Sequence, residues 1–145
     1  MPQTSRAEAA EIFAFDALIQ NPDRRPENPN YLFDGRNLAI FDHELAFVTD
    51  GIIGWRPPWE LGGLDLIKGS NRHVFFTDLQ GKRHNFSRIM GAWQAVSDAR
   101  LQEYRQALPP AWINGSDAAN EILAYIAQVR ENIKPALDEV ARVLA

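Results

Sequence analysis

A ten-residue stretch, Asn21 to Asn30, constrains the fold of this chain more than any other part of its sequence. It contains three prolines and three asparagines. Proline lacks a backbone donor and clashes with the preceding helical turn, and asparagine favours turns over helix interiors. The stretch therefore cannot continue a helix, and a polar loop is predicted at residues 21–30.

Regular elements are predicted on both sides of this loop. The preceding segment, Ala7 to Gln20, is rich in helix formers, and its apolar residues cover more than one helix face. This pattern predicts a helix that lies inside the domain. After the loop, two short apolar runs flank Asp34-Gly35, a pair that favours a tight turn. A β-hairpin is therefore expected at residues 31–41.

The remaining sequence indicates an α+β fold that is mainly helical. Residues 51–69 are rich in Gly, Pro and Trp, which suits a structured irregular segment without a domain boundary. At 145 residues the chain has the length of one domain, residues 1–145, with a mostly helical region over residues 85–145. The helices predicted there lie near 85–95, 98–107, 117–131 and 135–144, with a break at Pro109-Pro110.

Composition excludes several classes of function. The formal net charge of −4 argues against binding to nucleic acid, because affinity for its backbone depends on clustered Lys and Arg. The lack of Cys excludes disulfides, thiolate zinc sites and cysteine nucleophiles. No apolar stretch approaches membrane-spanning length, and the N-terminal sequence lacks the pattern of a secretory signal. No membrane insertion is therefore expected, and a cytoplasmic location is predicted.

The order of polar residues along the loop and hairpin suggests phosphotransfer chemistry. Asp23 and Asn28 are five residues apart, as in the catalytic loops of protein kinases, and Asp42 follows the hairpin. In that arrangement Asp23 would accept the proton of an attacking hydroxyl, and Asn28 and Asp42 would supply oxygen ligands to Mg²⁺. The intervening hairpin would return both ligands to one end of the structure. The alternative is that Asp23, Asn28 and Asp34 are ordinary turn formers.

Two segments of the chain resemble the HipA-like kinases. Residues 15–30, FDALIQNPDRRPENPN, are similar to the catalytic loop of that family, and IFDHELAF at residues 40–47 is similar to its metal-binding segment, here 42–47. The resemblance implies the C-terminal lobe of a two-lobed kinase, distantly related to the phosphatidylinositol kinases, with ATP as its substrate. It also implies that Asp23 is the catalytic base, that Asn28 and Asp42 bind Mg²⁺, and that His43 helps to shape the site.

Several charged residues near this site have more than one interpretation. Arg25 stands where many family members have His or Thr, and Glu44 stands where many have Gly, but neither change removes a predicted metal ligand. Arg24 and Arg25 would either stabilise phosphate charge with a guanidinium group or pair with a nearby Glu. The histidines lack the spacing of a zinc site, so structural hydrogen bonds are expected for His43, His73 and His84.

Other parts of a kinase are not recognisable in the sequence. A kinase needs a glycine-rich loop over the phosphates, a strand Lys and a helix Glu, and none of these precedes Asp23. The first interpretation is therefore a catalytic lobe that works with an N-terminal lobe, either removed from a longer chain or supplied by a separate polypeptide, and that is inactive alone. The second is a non-catalytic interaction module derived from such a kinase. The third is an unrelated helical binding domain.

The first interpretation carries two structural expectations. Asp23, Asn28 and Asp42 should converge on a solvent-open cleft at the end of the hairpin. The surface that faces the absent lobe should be unusually apolar, and the chain would self-associate through that face. The sequence does not distinguish between a protein, a lipid and a small molecule as the source of the hydroxyl that accepts the phosphoryl group.

Overall fold

The computed structural model describes residues 3–49, 52–69, 72–114 and 117–145. Over these ranges the chain is mainly helical and has one two-stranded antiparallel sheet, which confirms the predicted α+β class. The elements in chain order are α1 (Gln3–Leu18), β1 (Tyr31–Phe33), β2 (Leu38–Ile40), a 3₁₀ turn (Asp65–Lys68), α2 (Phe76–Leu79), α3 (Ser87–Gln94), α4 (Asp98–Ala107), α5 (Pro110–Asn114), α6 (Ala118–Glu131) and α7 (Ile133–Leu144).

Helix α1 is the central element of the core, as its apolar pattern predicts. It packs against α2, α3, α7 and β2. Its alanines allow these neighbours to approach closely, and Phe13 fills the space between them. The helix ends at Leu18, because Gln20 adopts a positive φ of 55° and Pro22 cannot continue the helical hydrogen bonding. The buried apolar residues of α1 and its last turn are Ala9, Ala10, Ile12, Phe13, Ala14, Ala17, Leu18 and Ile19.

Helix α7 supplies the other long apolar face of the core. Its buried residues recur every three or four positions, so they form one stripe on the helix. The helix begins at Ile133, two residues before the predicted start at Pro135. A proline is tolerated there because the first helical turn has no intrahelical partner for its backbone N–H groups. The apolar residues of the stripe are Ile133, Ala136, Leu137, Val140, Val143 and Leu144.

The hairpin has the position and turn that the sequence predicts. Tyr31 pairs with Ile40, and Phe33 pairs with Leu38. The Asp34 carboxylate closes the turn by accepting hydrogen bonds from the backbone N–H groups of residues 36 and 37, at 2.8 and 2.7 Å. Gly35 has a φ of +96°, a conformation that residues with a side chain rarely adopt. The open end of the hairpin therefore lies where the loop enters at residue 30 and where the chain leaves at residue 41.

The segment at residues 52–69 is irregular but packed, as expected. A side chain at position 63 would place its Cβ 2.1 Å from the Pro57 carbonyl oxygen, so only Gly fits there. The backbone N–H of Gly62 donates to the buried Glu139 carboxylate at 2.8 Å, and Arg142 pairs with the same carboxylate. These contacts attach the segment to α7. Residue 51, where the predicted segment begins, lies outside the described residues.

The predicted helices of the latter half are present with small changes in their bounds. Helix α4 spans the predicted range and begins after Ser97, whose hydroxyl accepts a hydrogen bond from the N–H of Arg100 at 3.1 Å. The break at Pro109-Pro110 is also the start of the short helix α5, a position that suits proline. In the described part of the chain, no helix has the length and apolar character needed to cross a membrane.

Candidate functional site

The loop at residues 21–30 brings Asp23 and Asn28 into direct contact. Arg25 and Asn28 exchange backbone hydrogen bonds at 3.1 and 3.0 Å, which folds the loop back on itself over Pro26 and Glu27. The Asn28 side-chain Nδ2 then donates to Asp23 Oδ2 at 2.7 Å. The turn thus brings together two residues that are five positions apart, and it places the Asp23 carboxylate beside the Asn28 side-chain amide.

The orientation of Asn28 suits the metal-binding role that the sequence predicts. Because its amide nitrogen faces Asp23, its carbonyl oxygen is directed away from that carboxylate. Asn30 Nδ2 also donates to Asp23 Oδ2, at 3.3 Å, so two amides hold this oxygen. An amide oxygen and a nearby carboxylate are donors that Mg²⁺ accepts, usually together with water and substrate phosphates. The donor set therefore fits magnesium.

Asp42 lies at the same open end of the hairpin as the loop. The N–H of Phe41 donates to the Asn30 carbonyl at 3.2 Å, and this bond extends the pairing of the two strands by one step. Asp42 is exposed rather than directed into the core, and its φ of +57° is unusual for a residue with a side chain. Among the described residues, no group of three or more His, Cys, Asp or Glu side chains is placed to hold a metal. The convergence of the side-chain oxygens of Asp42 and Asn28 stays a prediction.

Arg24 is buried, and its position differs from both roles that the sequence suggests. Its side chain has 0% exposure and pairs with Asp16 of α1, with Nε 2.5 Å from Oδ2. It therefore has a carboxylate partner, but that partner is an Asp on α1 and not a Glu. A guanidinium group enclosed in this way is not directed to a phosphate in solvent. The loop sequence around Arg24 is polar throughout and gives no sign of this burial.

Asp16 and His73 complete a buried cluster around Arg24. His73 Nε2 lies 2.9 Å from Asp16 Oδ2, and the backbone N–H of Phe75 donates to His73 Nδ1 at 3.2 Å. Nδ1 therefore carries no proton, and Nε2–H donates to the carboxylate. Burial raises the pKa of Asp16, but hydrogen bonds from His73 and Arg24 outweigh it and hold the pKa below its ordinary range. Burial lowers the pKa of His73, and the bond to Asp16 offsets this only in part.

The low pKa of His73 predicts a loss of stability on mild acidification. The unfolded chain binds a proton at this histidine below about pH 6.5, whereas the folded chain resists protonation until a lower pH. The free energy of unfolding should therefore fall as the pH drops below about 6.5, by at most about 1.4 kcal/mol per pH unit. Urea unfolding at pH 7.5, 6.5 and 5.5 measures this. His73→Gln should remove that slope, and an equal slope in the variant would contradict the assignment.

Arg25 and His43, the other two residues that the sequence places near the site, make different contacts. Arg25 Nη2 is 3.2 Å from Asp23 Oδ1, and the Arg25 side chain is 39% exposed, so it pairs with the predicted base rather than with a Glu. The half-buried His43 places its Nε2 3.0 Å from Arg24 Nη2, and its ring meets the edge of Phe15. His43 thus makes a structural hydrogen bond, as expected.

Three residues of the site have no functional role in the sequence-based predictions: Asp16, Asn30 and His73. For His73 the sequence predicts only a structural hydrogen bond, and the bond to Asp16 agrees with this. Asp16 carried a usable signal, because it is the one carboxylate in the apolar run at residues 13–19, and a carboxylate buried in such a run requires a partner. Nothing in the sequence identifies Arg24 or His73 as that partner, since they lie 8 and 57 residues away. Asn30 resembles an ordinary loop residue until the turn places its amide beside Asp23.

Comparison with known proteins agrees with the resemblance of the two motif segments. A family model described as HipA-like kinase matches residues 1–140. This match includes the loop, the hairpin, the metal-binding segment and nearly all of the helical region. No match was found among curated proteins or among solved structures. Because the family model covers almost the whole sequence, the chain belongs to the HipA-like kinase family.

Proposed function

We propose that this chain is the phosphotransferase lobe of a HipA-like kinase, which transfers the γ-phosphoryl group of ATP to a hydroxyl group with Mg²⁺. The observation that carries the proposal is the hydrogen bond from Asn28 to Asp23 at the open end of the hairpin from which Asp42 emerges. A carboxylate next to an asparagine whose amide oxygen is directed away from it, with a second carboxylate on the adjoining segment, matches the residue types of a kinase site.

Asp23 is the proposed base in this reaction. Its Oδ2 is held by the amides of Asn28 and Asn30, so the carboxylate keeps a fixed direction. Its Oδ1 accepts a hydrogen bond from Nη2 of the partly exposed Arg25 at 3.2 Å. The carboxylate would accept the hydroxyl proton as the hydroxyl oxygen attacks the γ-phosphorus, and the bond between that phosphorus and the bridging oxygen of the β-phosphate would break to release ADP. Magnesium held by Asn28 and Asp42 would supply neutralisation of phosphate charge.

Arg25 is proposed to contact the transferred phosphoryl group. Its side chain is 39% exposed and bonds Oδ1 of Asp23 at 3.2 Å, so part of the guanidinium group is open to solvent. When nucleotide binds, the Arg25 guanidinium would release the Asp23 carboxylate and donate to phosphate oxygens instead. A guanidinium group can donate to carboxylate and phosphate oxygens in the same planar geometry. His43 would act differently, by keeping the chain around Asp42 in place through its contact with Arg24.

We further propose that activity requires an N-terminal lobe that encloses ATP. Support comes from large apolar side chains that are exposed on the hairpin and just after it, on both sides of Asp42. Such exposure is typical of a surface that another domain or chain covers. In the absence of that lobe the same face would favour self-association. The exposed residues are Leu32, Phe33, Phe41, Leu45 and Val48, with exposures between 42% and 66%.

The test is transfer of label from γ-³²P-ATP by the chain, expressed with the coding sequence that precedes it and incubated with a cytoplasmic extract. The protein, lipid and small-molecule fractions are counted separately, which also identifies the class of acceptor. Magnesium-dependent transfer to one fraction supports the proposal. Binding of ATP without transfer to any acceptor would favour the alternative, a non-catalytic interaction module derived from a kinase.

A further inference from the structure

We infer that Arg24 is a positioning residue that fixes Asp42 relative to Asp23 and Asn28. The inference rests on the proposed function, because it concerns the two magnesium ligands. Arg24 follows Asp23 directly in the chain, so its backbone belongs to the loop that carries the base. Its side chain crosses to the segment that carries Asp42. One residue therefore connects the two halves of the site.

The Arg24 guanidinium contacts the residues that come directly before and after Asp42 in the chain. Nη1 donates to the carbonyl of Phe41 at 3.4 Å, and Nη2 lies 3.0 Å from the ring nitrogen of His43. Nη1 also donates to the carbonyl of Asn30, whose own amide binds Asp23. The Arg24 guanidinium thus holds Phe41 and His43, on either side of Asp42, and also Asn30 at the end of the loop. This arrangement would maintain Asp42 in its unusual backbone conformation with φ +57°.

Asp16 and His73 keep the guanidinium from turning away. Asp16 binds Nε at 2.5 Å and Nη2 at 3.3 Å, and its carboxylate also accepts from Asn21 Nδ2 at 3.0 Å. His73 Nε2 also bonds Asp16 Oδ2, the oxygen that accepts from Arg24 Nε. Because Arg24 and Asp16 are 0% and 1% exposed, water does not compete for these bonds. A lysine has the same charge, but it lacks the planar fork that reaches all of these partners together.

The test is the affinity of the full chain for MnCl₂ alone, which does not depend on catalysis. Manganese broadens NMR signals near its binding site. The side-chain amide of Asn28 therefore reports on the loop, and the backbone amide of His43 reports on the segment that carries Asp42. In the native chain both signals should be lost at the same low MnCl₂ concentration. In Arg24→Lys, at least tenfold more MnCl₂ should be needed, because loss of residues that orient metal ligands weakens metal binding about 10–100-fold.

Arg142→Lys is the matched control. Arg142 also pairs with a buried carboxylate, Glu139, but at the other side of the core. The Arg142→Lys variant should have a lower melting temperature, but the MnCl₂ concentration at which the two signals are lost should stay the same. If Arg24→Lys does not fold, His43→Leu replaces it, with a several-fold weaker affinity expected. A folded Arg24→Lys or His43→Leu protein with native MnCl₂ affinity would overturn the positioning role. Absence of localised broadening in the native chain would instead overturn the proposed metal site.

Discussion

Replacement of Asp23 by Asn is expected to lower phosphotransfer by about 10²–10⁴-fold, the range that a positioned general base contributes. Asn has nearly the same shape and can keep the contacts with Asn28 and Asn30, but it cannot accept the hydroxyl proton. Asp42→Asn should also reduce transfer by orders of magnitude, because a neutral amide stabilises the metal and the transition-state charge less well. Both are measured as initial rates with γ-³²P-ATP, using the chain together with its N-terminal lobe.

Asp34→Asn is the matched control for these two variants. Asp34 is an exposed carboxylate of the same hairpin, but it lies in the turn, at the end opposite to the site. The phosphotransfer rate of the Asp34→Asn variant should remain near the native rate. The isolated chain should be almost inactive, because without the second lobe the phosphates of ATP are neither enclosed nor aligned. Native rates in Asp23→Asn, or robust transfer by the isolated chain, would contradict the proposed division of roles.

Replacement of Asp16 by Leu is expected to lower the free energy of unfolding by about 3–5 kcal/mol, because it leaves the buried charge of Arg24 without a partner. It also removes the acceptor of His73 Nε2–H. In a chain of this size such a loss corresponds to a fall in melting temperature of roughly 10–16 °C. Urea unfolding of the native and variant chains gives the difference directly.

Two further variants separate the buried charge from other effects of the substitution. Asp138→Leu removes an exposed carboxylate that pairs with Lys134 on α7, and it should change stability by no more than about 0.5 kcal/mol. The double variant Asp16→Leu/Arg24→Met removes both buried charges and should be less destabilised than the sum of the single variants. Additive effects would show that Asp16 and Arg24 do not act as a pair.

The sequence predicts those features of the fold that depend on local chemistry. The loop follows from proline and asparagine, which disrupt helices wherever they cluster. The hairpin follows from Asp34-Gly35, since the turn needs a carboxylate acceptor and a residue with positive φ. Helix α4 is predicted over its observed range, and the prolines after its end predict the break that follows it. Bounds are less predictable, as at Ile133, because the first turn of a helix tolerates a proline.

The candidate site is only partly predictable, because much of it depends on contacts between distant residues. The spacing of Asp23 and Asn28 identifies them, since the turn that joins them is local. Arg24 is different, because its chain neighbours Asp23 and Arg25 are charged and partly exposed, whereas its own partners come from α1, from the end of the loop and from the segment after β2. Only the packed structure shows that this arginine is buried and connects the elements that carry Asp23 and Asp42.

The most direct test of the central claim, that Asn28 and Asp42 hold a divalent metal beside Asp23, is anomalous diffraction. Crystals of the chain with its N-terminal lobe would be grown with MnCl₂ and a non-hydrolysable ATP analogue. We predict an anomalous peak that contacts the Asn28 side-chain oxygen, the Asp42 carboxylate and the phosphates of the analogue. A manganese peak elsewhere, or an analogue bound away from these residues, would contradict the assignment of this chain's site to phosphotransfer.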